Sequence, residues 1–188
     1  EAEGRSVVAI TGASGALYGV RLLQELPGER ILVMSETAKR IIPAETGYSV
    51  EQVEEMADAV YSDDDLAAPI ASGSFRYDVL FVAPCTESSV AKFACGIADT
   101  LISRAVMCAI KEQRKTVLVV RETPKSAIML ENELKLARLG VVIMDANPAF
   151  YPQPKTVDDI VGFVVGRGLM QAGVEQDLFR AWGENPPE

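Results

Sequence analysis

The sequence contains no histidine and only three cysteines among its 188 residues. Without histidine, the chain lacks the commonest general base and the commonest metal ligand, so acid–base chemistry must rely on Glu, Asp, Tyr, Lys or the substrate itself. Cys85, Cys95 and Cys108 are odd in number and form no C-x-x-C pair. They predict free thiols in a reducing, cytoplasmic environment and argue against a metal site.

Basic residues and long apolar runs are also scarce. The 18 Lys and Arg residues are outnumbered by 27 Asp and Glu, and the formal net charge of −9 argues against a nucleic-acid-binding role. No apolar run is long enough to span a bilayer and no signal peptide is visible, so we expect no membrane association. Hydrophobic residues are spread throughout, and no linker or internal repeat divides the chain. We therefore expect one domain over residues 1–188.

The most informative stretch of the sequence lies near its start. Residues 7–10 predict a buried parallel strand, residues 11–15 form a loop of small residues, and a helical pattern starts at Ala16. The free N–H groups and the dipole at such a helix start favour an anion. Ser14 stands where the second glycine of the dinucleotide-binding G-x-G-x-x-G loop is needed. The stretch therefore predicts a phosphate site and not a dinucleotide site.

Four further apolar segments predict strands at residues 30–34, 79–83, 116–120 and 141–144. Because they alternate with helical patterns, we expect an α/β fold: a doubly wound parallel sheet in a flavodoxin- or Rossmann-like three-layer sandwich. A capping box at Ser49 predicts an acidic helix to about residue 60. We expect residues 43–47 to form a loop that carries Glu45, and residues 63–65, three aspartates, to form a solvated turn.

Polar residues follow several of the predicted strands. Ser35 follows the second strand, residues 84–89 end the third, and Arg121 and Glu122 come directly after the fourth. Ligand sites of α/β folds lie at the carboxyl ends of the strands, so we expect Arg121 and Glu122 to serve a site, with a structural ion pair as the alternative. Ser35 is equally explained as a helix N-cap.

Three basic residues are further candidates for anion binding, and an aromatic tail is a candidate for docking. Arg104 and Lys111 are predicted to share one helix face, where surface exposure is the simpler explanation for both. Arg167 lies on a predicted helix among apolar residues, and such a position calls for an anion or a carboxylate partner. The tail, residues 173–188, contains Phe179 and Trp182 and is expected to dock on a partner subunit or on the domain itself.

Ten short motifs along the chain, among them T-G-A-S-G-A, V-R-E-x-P and P-A-F-Y, give the sequence a family resemblance. They lie at residues 11–19, 45–46, 71–74, 83–85, 104–105, 110–114, 120–124, 130–132, 148–154 and 165–167. In this order they resemble the flavin prenyltransferases of the UbiX-like family. The resemblance implies that a dimethylallyl group from dimethylallyl phosphate or diphosphate is joined to N5 and C6 of reduced FMN. It also implies that the product serves a UbiD-like decarboxylase.

The resemblance also assigns residues to roles. For FMN it implies Gly12, Ala13, Ser14, Ser35, Thr86, Glu87, Ser88, Ser89 and Arg121. For the prenyl phosphate it implies Ser72, Arg104, Lys111, Tyr151 and Arg167. Ser14, Glu45 and Glu122 are implied to take part in the reaction, without a metal. The assembly is expected to be a homo-oligomer, often a dodecamer, in which a neighbouring subunit completes the site.

Two alternatives stay open, and position 66 is one of the departures from the family pattern. An FMN-dependent cysteine decarboxylase would share the fold, but that class uses a catalytic histidine that this chain lacks. A non-catalytic FMN carrier would not need Arg104, Lys111, Tyr151 and Arg167 around a second anion. Some family members have a tryptophan near position 66 that shields the prenyl group, whereas this chain has Leu66.

Overall fold

The structure is a computed structural model that describes residues 4–184, which contain six strands and seven α-helices. The strands are β1 (Arg5–Ile10), β2 (Glu29–Met34), β3 (Ala59–Ser62), β4 (Val79–Cys85), β5 (Lys115–Val120) and β6 (Val142–Asp145). The helices are α1 (Ala16–Glu25), α2 (Glu36–Thr46), α3 (Val50–Glu55), α4 (Glu87–Cys95), α5 (Leu101–Lys111), α6 (Ala127–Arg138) and α7 (Val157–Gln171). A short 3-10 helix, Pro69–Ala71, precedes β4.

The strands form one parallel sheet in the order β3-β2-β1-β4-β5-β6. This is the Rossmann strand order, and it confirms the doubly wound α/β fold expected from the sequence. The chain builds outward from β1 in one direction and then starts again at β4 on the other side. The carboxyl ends of β1 and β4 therefore open a crevice, which is the usual position of a ligand in such a sheet.

Alternation of side chains along the strands produces two cores, one on each face of the sheet. Val8 and Ile10 point to the face covered by α1 and α7. Val7 and Ala9 point to the opposite face, against α5 and α6. Strand β4 is buried along its whole length, as expected for a strand with helices on both sides. The rigid centre of the sheet thus holds the ends of β1 and β4 in place.

Strand β3 corrects the sequence-based expectation of five strands. The helix that starts after Ser49 ends at Glu55, and residues 59–62 pair with β2 instead of continuing it. Ala59 and Tyr61 pack against the core while Val60 is exposed. This half-buried alternation, with a β-branched and an aromatic residue, suits an edge strand, and tertiary pairing prevails over the local helical pattern.

The position of Glu45 is a second correction. Residues 43–46 belong to α2, which includes Pro43 and ends before Gly47 in the left-handed conformation at φ 75°. Glycine adopts this conformation without steric cost, so Gly47 is an effective helix terminator. Glu45 is therefore carried in the last turn of a helix and not on a loop.

The described part of the tail lies against its own chain. The ring centroids of Phe179 and Phe163 of α7 are 4.5 Å apart, and Trp182 packs edge-on against Tyr151 at 5.2 Å. The expected docking of residues 173–188 in an oligomer remains a prediction, and residues 185–188 fall outside the described residues. Within residues 4–184, no helix has the length and apolarity that a membrane span requires.

Candidate functional site

Thr11 joins the loops that follow β1 and β4. Its hydroxyl donates a hydrogen bond to the Pro84 carbonyl oxygen at 2.6 Å and accepts one from the Thr86 N–H at 2.9 Å. The Thr11 N–H also donates to the Pro84 carbonyl, at 3.2 Å. Thr11 is buried, so these bonds are shielded from water and hold the two loops in a fixed relation. The two loops therefore open onto one crevice.

A cavity of about 290 Å³ lies in this crevice. The N-termini of α2, α4 and α5 all reach it, through the N-cap residues Ser35, Thr86 and Thr100. Three helix starts around one cavity provide N–H donors and positive dipole ends for an anion. Most of the lining residues carry hydroxyl groups; the lining is Thr11, Gly12, Ser35, Thr37, Asp63, Thr86, Ser88, Ser89, Lys92, Phe93, Thr100, Ile102 and Ser103.

The structure brings together most of the residues predicted for FMN. Gly12, Ser35, Thr86, Ser88 and Ser89 line the cavity. The N-cap explanation of Ser35 also holds, because its hydroxyl accepts the Ala38 N–H at 3.1 Å. Ala13 and Glu87 are sequence neighbours of the lining residues but do not line this cavity, whereas Ser14 and Arg121 line a second cavity.

Sequence reasoning missed several residues of this cavity, including Asp63, Lys92 and Ser103. Asp63 does not lie in a merely solvated turn: its carboxylate accepts the Ile102 N–H at the start of α5, at 2.9 Å. Burial raises the pKa of Asp63, although this hydrogen bond opposes the shift. Lys92 lies one helical turn after Ser88, so helix periodicity was the available signal for it. No local pattern points to Asp63, whose contact joins segments 39 residues apart.

A second cavity, of about 340 Å³, adjoins the N-terminus of α1. Glu45 occupies the anion position predicted there: its carboxylate accepts the N–H groups of Gly15 and Ala16 at 2.9 and 3.3 Å. It also accepts the Ser14 hydroxyl at 2.6 Å. Arg121 closes the group by donating from Nε to the Ser14 carbonyl at 3.2 Å. Within the chain, the start of α1 therefore binds a carboxylate of α2, which aligns Ser14, Glu45 and Arg121.

The Glu45 group stays ionised near neutral pH. Its burial raises the pKa, but the hydrogen bonds from Ser14, Gly15 and Ala16 and the charge of Arg121 together lower the pKa below its ordinary value. Burial also raises the pKa of Tyr18, which lines the same cavity, with Arg121 opposing the shift. An ionised carboxylate with three donors suits an anchoring role better than proton transfer.

Replacing Glu45 by alanine tests this anchor. We expect the variant to lose about 1 kcal/mol of unfolding free energy at about pH 7, the usual effect of removing a helix N-terminal cap. Because the folded-state pKa lies below 4.5, the contribution is complete above that pH and is lost as the pH falls through the folded-state pKa. Thermal unfolding of both proteins down to about pH 3 should show a Tm difference that shrinks below about pH 4.5. An undiminished difference in acid would contradict the account, and Glu131→Ala on exposed α6 is the control.

Arg121 and Glu122 border a third cavity, of about 520 Å³, between the ends of β5 and β6. Glu122 is exposed, and within residues 4–184 its carboxylate accepts a single hydrogen bond, from the neighbouring Thr123 N–H to Oε1 at 3.1 Å. Within residues 4–184 these two side chains form no ion pair with each other, so the structural ion-pair alternative is wrong. The Glu122 carboxylate is thus available to a ligand. In the described part of the chain, no cluster of three or more acidic or cysteine side chains suits a metal ion.

The residues predicted for the prenyl phosphate are not brought together within one chain. Ser72 and Lys111 lie at the amino-terminal ends of the strands, where Lys111 pairs with Glu112 at 2.8 Å. Arg104 is exposed in the first turn of α5, at the other end of that helix. Tyr151 packs against Phe163, and Arg167 is exposed on α7. The anion or carboxylate partner expected for Arg167 is not found among residues 4–184.

Comparison with known proteins identifies the family. The family model described as Flavoprotein matches residues 1–169. Flavin prenyltransferase UbiX of Thermoplasma acidophilum is 46% identical over 179 residues, which cover 95% of this chain and 99% of that protein. The chain belongs to the UbiX-like flavin prenyltransferases. The resemblance read from the ten motifs is therefore confirmed.

Two solved structures extend the UbiX-like assignment to the whole fold. A dodecameric FMN-dependent UbiX-like decarboxylase from Escherichia coli O157:H7 is 48% identical, with a TM-score of 0.93, and the match covers 96% of this chain and all of that one. AnUbiX (PadA1), solved in complex with FMN and dimethylallyl pyrophosphate, is 41% identical, with a TM-score of 0.94 over 97% and 99% of the two chains. UbiX-like chains of this shape thus include a dodecamer and a protein that holds both ligands.

Proposed function

We propose that this chain is a flavin prenyltransferase that joins a dimethylallyl group from dimethylallyl phosphate or diphosphate to N5 and C6 of reduced FMN. The observation that supports this most strongly is the 41% identical AnUbiX structure with both ligands, combined with adjoining cavities at the same sheet edge here. The product would then pass to a UbiD-like decarboxylase. A cytoplasmic location, expected from the three unpaired cysteines, belongs to the same proposal.

The residues around the first cavity fit FMN. Its phosphate and ribityl hydroxyls need several donors and acceptors, which the three helix N-termini and the hydroxyls of Ser35, Thr86, Ser88 and Ser89 provide. Gly12, Ala13, Ser14, Glu87 and Arg121 complete the proposed set along the same edge. Reduced FMN supplies the nucleophilic ring positions, N5 and C6, that accept the prenyl group.

Gly12 is the most stringent steric requirement of this cavity. A Cβ atom at position 12 would overlap the Thr37 methyl carbon, closer than real contacts allow. We expect Gly12→Ala to weaken FMN binding about 10- to 100-fold, because relief of the overlap displaces Thr37 or the Gly12 loop in the cavity lining, and restoring the binding geometry would cost about 1–3 kcal/mol, the usual cost of overpacking. Fluorescence titration with FMN checks this, with Gly162→Ala on α7 as control, where the added carbon would lie 3.7 Å from its nearest neighbour. Unchanged FMN affinity in Gly12→Ala would contradict the placement.

The side chains near the other two cavities supply the rest of the chemistry. As the allylic C–O bond breaks, negative charge grows on the leaving phosphate, and Arg and Lys side chains stabilise it electrostatically. Among residues 4–184 Glu122 forms no ion pair, so its carboxylate can accept or return a proton in this proposal. Ser14 is held by Glu45 and presents its hydroxyl at the same edge. The phosphate itself can act as a base, which makes a site without histidine workable.

A neighbouring subunit completes the prenyl-phosphate site in this proposal. Lys111 precedes strand β5 and Glu122 follows it, so the two residues lie at opposite ends of a six-residue strand, about 20 Å apart. A lysine side chain cannot span that distance, so Lys111 can serve only the site of another subunit. The dodecameric E. coli relative supports an assembly that provides such neighbours.

Release of the leaving group tests the proposed function against both alternatives. With reduced FMN, the protein should release inorganic phosphate from dimethylallyl phosphate, or diphosphate from dimethylallyl diphosphate, and the preferred donor will show which is the substrate. Neither donor should be consumed without FMN. A cysteine decarboxylase would instead release CO₂ from a cysteine derivative, and an FMN carrier would bind flavin and consume neither donor.

A further inference from the structure

Three charged side chains form an ion cluster beside the site, and the proposed function does not use them. We define the triad as Lys125, Glu133 and Asp145. The Lys125 ammonium lies 2.8 Å from Glu133 Oε1 and forms a second ion pair with Asp145. The side chains of Lys125 and Glu133 are only 14% and 10% exposed. Charged groups are rarely buried to this extent unless they are paired.

The triad ties together three separate parts of the fold. Lys125 belongs to the segment 121–126 between β5 and α6, Glu133 lies in the middle of α6, and Asp145 is the last residue of β6. One ammonium group thus connects the loop to the helix after it and to the neighbouring strand. Its pKa, which burial alone would lower, is raised by both carboxylates, so Lys125 stays charged at neutral pH.

Segment 121–126 also carries Arg121 and Glu122, whose side chains are held differently. Arg121 donates to the Ser14 carbonyl on the opposite side of the crevice, so the start of the segment is fixed without the triad. The Ala146 N–H donates to the Val120 carbonyl at 2.8 Å and fixes the strand end. In the described part of the chain, the Glu122 carboxylate is held only by the Thr123 N–H of its own segment. The position of Glu122 therefore depends on how the far end of the segment is anchored.

We propose that Lys125 is a positioning residue for Glu122, acting through its ion pairs with Glu133 and Asp145. The inference rests on the proposed function, since it concerns the carboxylate that moves a proton in that reaction. Lys125, Asp145 and Glu122 border the same cavity, so a shift of the ammonium group displaces the segment beside the substrate. Misplacement of a reacting group lowers the rate of the chemical step more than it lowers binding.

The test compares Lys125→Met with Lys135→Met, the same substitution at an exposed position of α6. We expect Lys125→Met to lower kcat about tenfold at 25 °C and to leave the KM for the prenyl donor and the FMN affinity within about threefold. Hydrogen exchange of peptides that cover residues 121–126 should become faster. Lys135→Met should match wild type in all of these measurements.

Two further variants keep the test decisive. Asp145→Asn removes one ion pair at a half-exposed carboxylate, and it serves if Lys125→Met does not fold; a severalfold smaller kcat with faster exchange is expected. Lys125→Met/Glu133→Met replaces the buried pair by an apolar contact, which restores the connection to α6. We expect this double variant to recover kcat and slow exchange together.

The outcomes distinguish a failure of the positioning role of Lys125 from a failure of the proposed function. If the triad serves stability alone, folded Lys125→Met keeps a wild-type kcat well below its Tm, and the positioning role is refuted. Unchanged exchange of residues 121–126 would refute it as well. If wild-type protein prenylates no flavin, the proposed function fails instead, and the exchange data still report whether Lys125 anchors the segment.

Discussion

Glu122→Gln is expected to bind FMN normally and to form product at least about 100-fold more slowly, the scale of a lost acid–base group. Glutamine keeps the size of the side chain and can still accept the Thr123 N–H, but it cannot exchange a proton. With no histidine in the sequence, few groups near the site can replace the carboxylate. The measurement is single-turnover product formation, together with an FMN titration.

The outcome separates a catalytic role of Glu122 from a structural one. Glu131→Gln removes an exposed carboxylate from α6 and should behave as wild type. A loss of FMN affinity in Glu122→Gln would indicate that the carboxylate supports binding or local structure. Normal turnover in that variant would show that the proton moves through another group, with the Ser14 hydroxyl and the substrate phosphate as the remaining candidates.

A second large effect is expected at the prenyl-phosphate site, which two neighbouring subunits share in this proposal. We expect Lys111→Met and Glu122→Gln to be nearly inactive as separate assemblies, with Lys111→Met slowed about 30-fold or more by loss of a charged contact. Co-assembled in equal amounts, the two variants should regain up to about a quarter of wild-type activity, because random mixing gives about one site in four both native residues. Co-expression with two different tags and tandem purification isolates the mixed assemblies.

The control for mixing is a co-assembly of two differently tagged Glu122→Gln subunits, which should stay inactive. Without a shared site, mixed Lys111→Met and Glu122→Gln assemblies would also stay inactive, because every site would lack one residue. That result would contradict the inference that two subunits share one site, which rests on the positions of Lys111 and Glu122 at opposite ends of the strands. A fully active monomer of the wild-type protein would contradict it as well.

Regular periodicity made most of the fold predictable from the sequence. The strands at residues 7–10, 30–34, 79–83, 116–120 and 141–144 each match a strand of the structure to within a few residues. β3 was missed because it has four residues at the sheet edge and follows a helical pattern directly. Pro43 and Gly47 suggested a loop, but the helix continues past the proline to the glycine and places Glu45 beside α1.

The site was predictable where it depends on neighbours in sequence and was missed where it depends on distant contacts. Gly12, Ser35 and the hydroxyls after β4 directly follow strands, so the sequence alone predicts their position at the carboxyl ends of the strands. The contacts of Asp63 with α5 and of Lys125 with Asp145 join segments far apart in sequence, and no local pattern encodes them. The residues predicted to bind the prenyl phosphate do not come together in one chain, because they lie at opposite ends of the strands.

The mass of the flavin extracted after anaerobic incubation with reduced FMN and dimethylallyl phosphate decides whether this protein prenylates FMN. We expect a product heavier than FMN by one five-carbon prenyl unit, formed with wild-type protein and nearly absent with Glu122→Gln at the same time point. The same incubation with dimethylallyl diphosphate shows whether that donor also reacts. Recovery of unmodified FMN from wild-type protein with both donors would contradict the assignment as a flavin prenyltransferase.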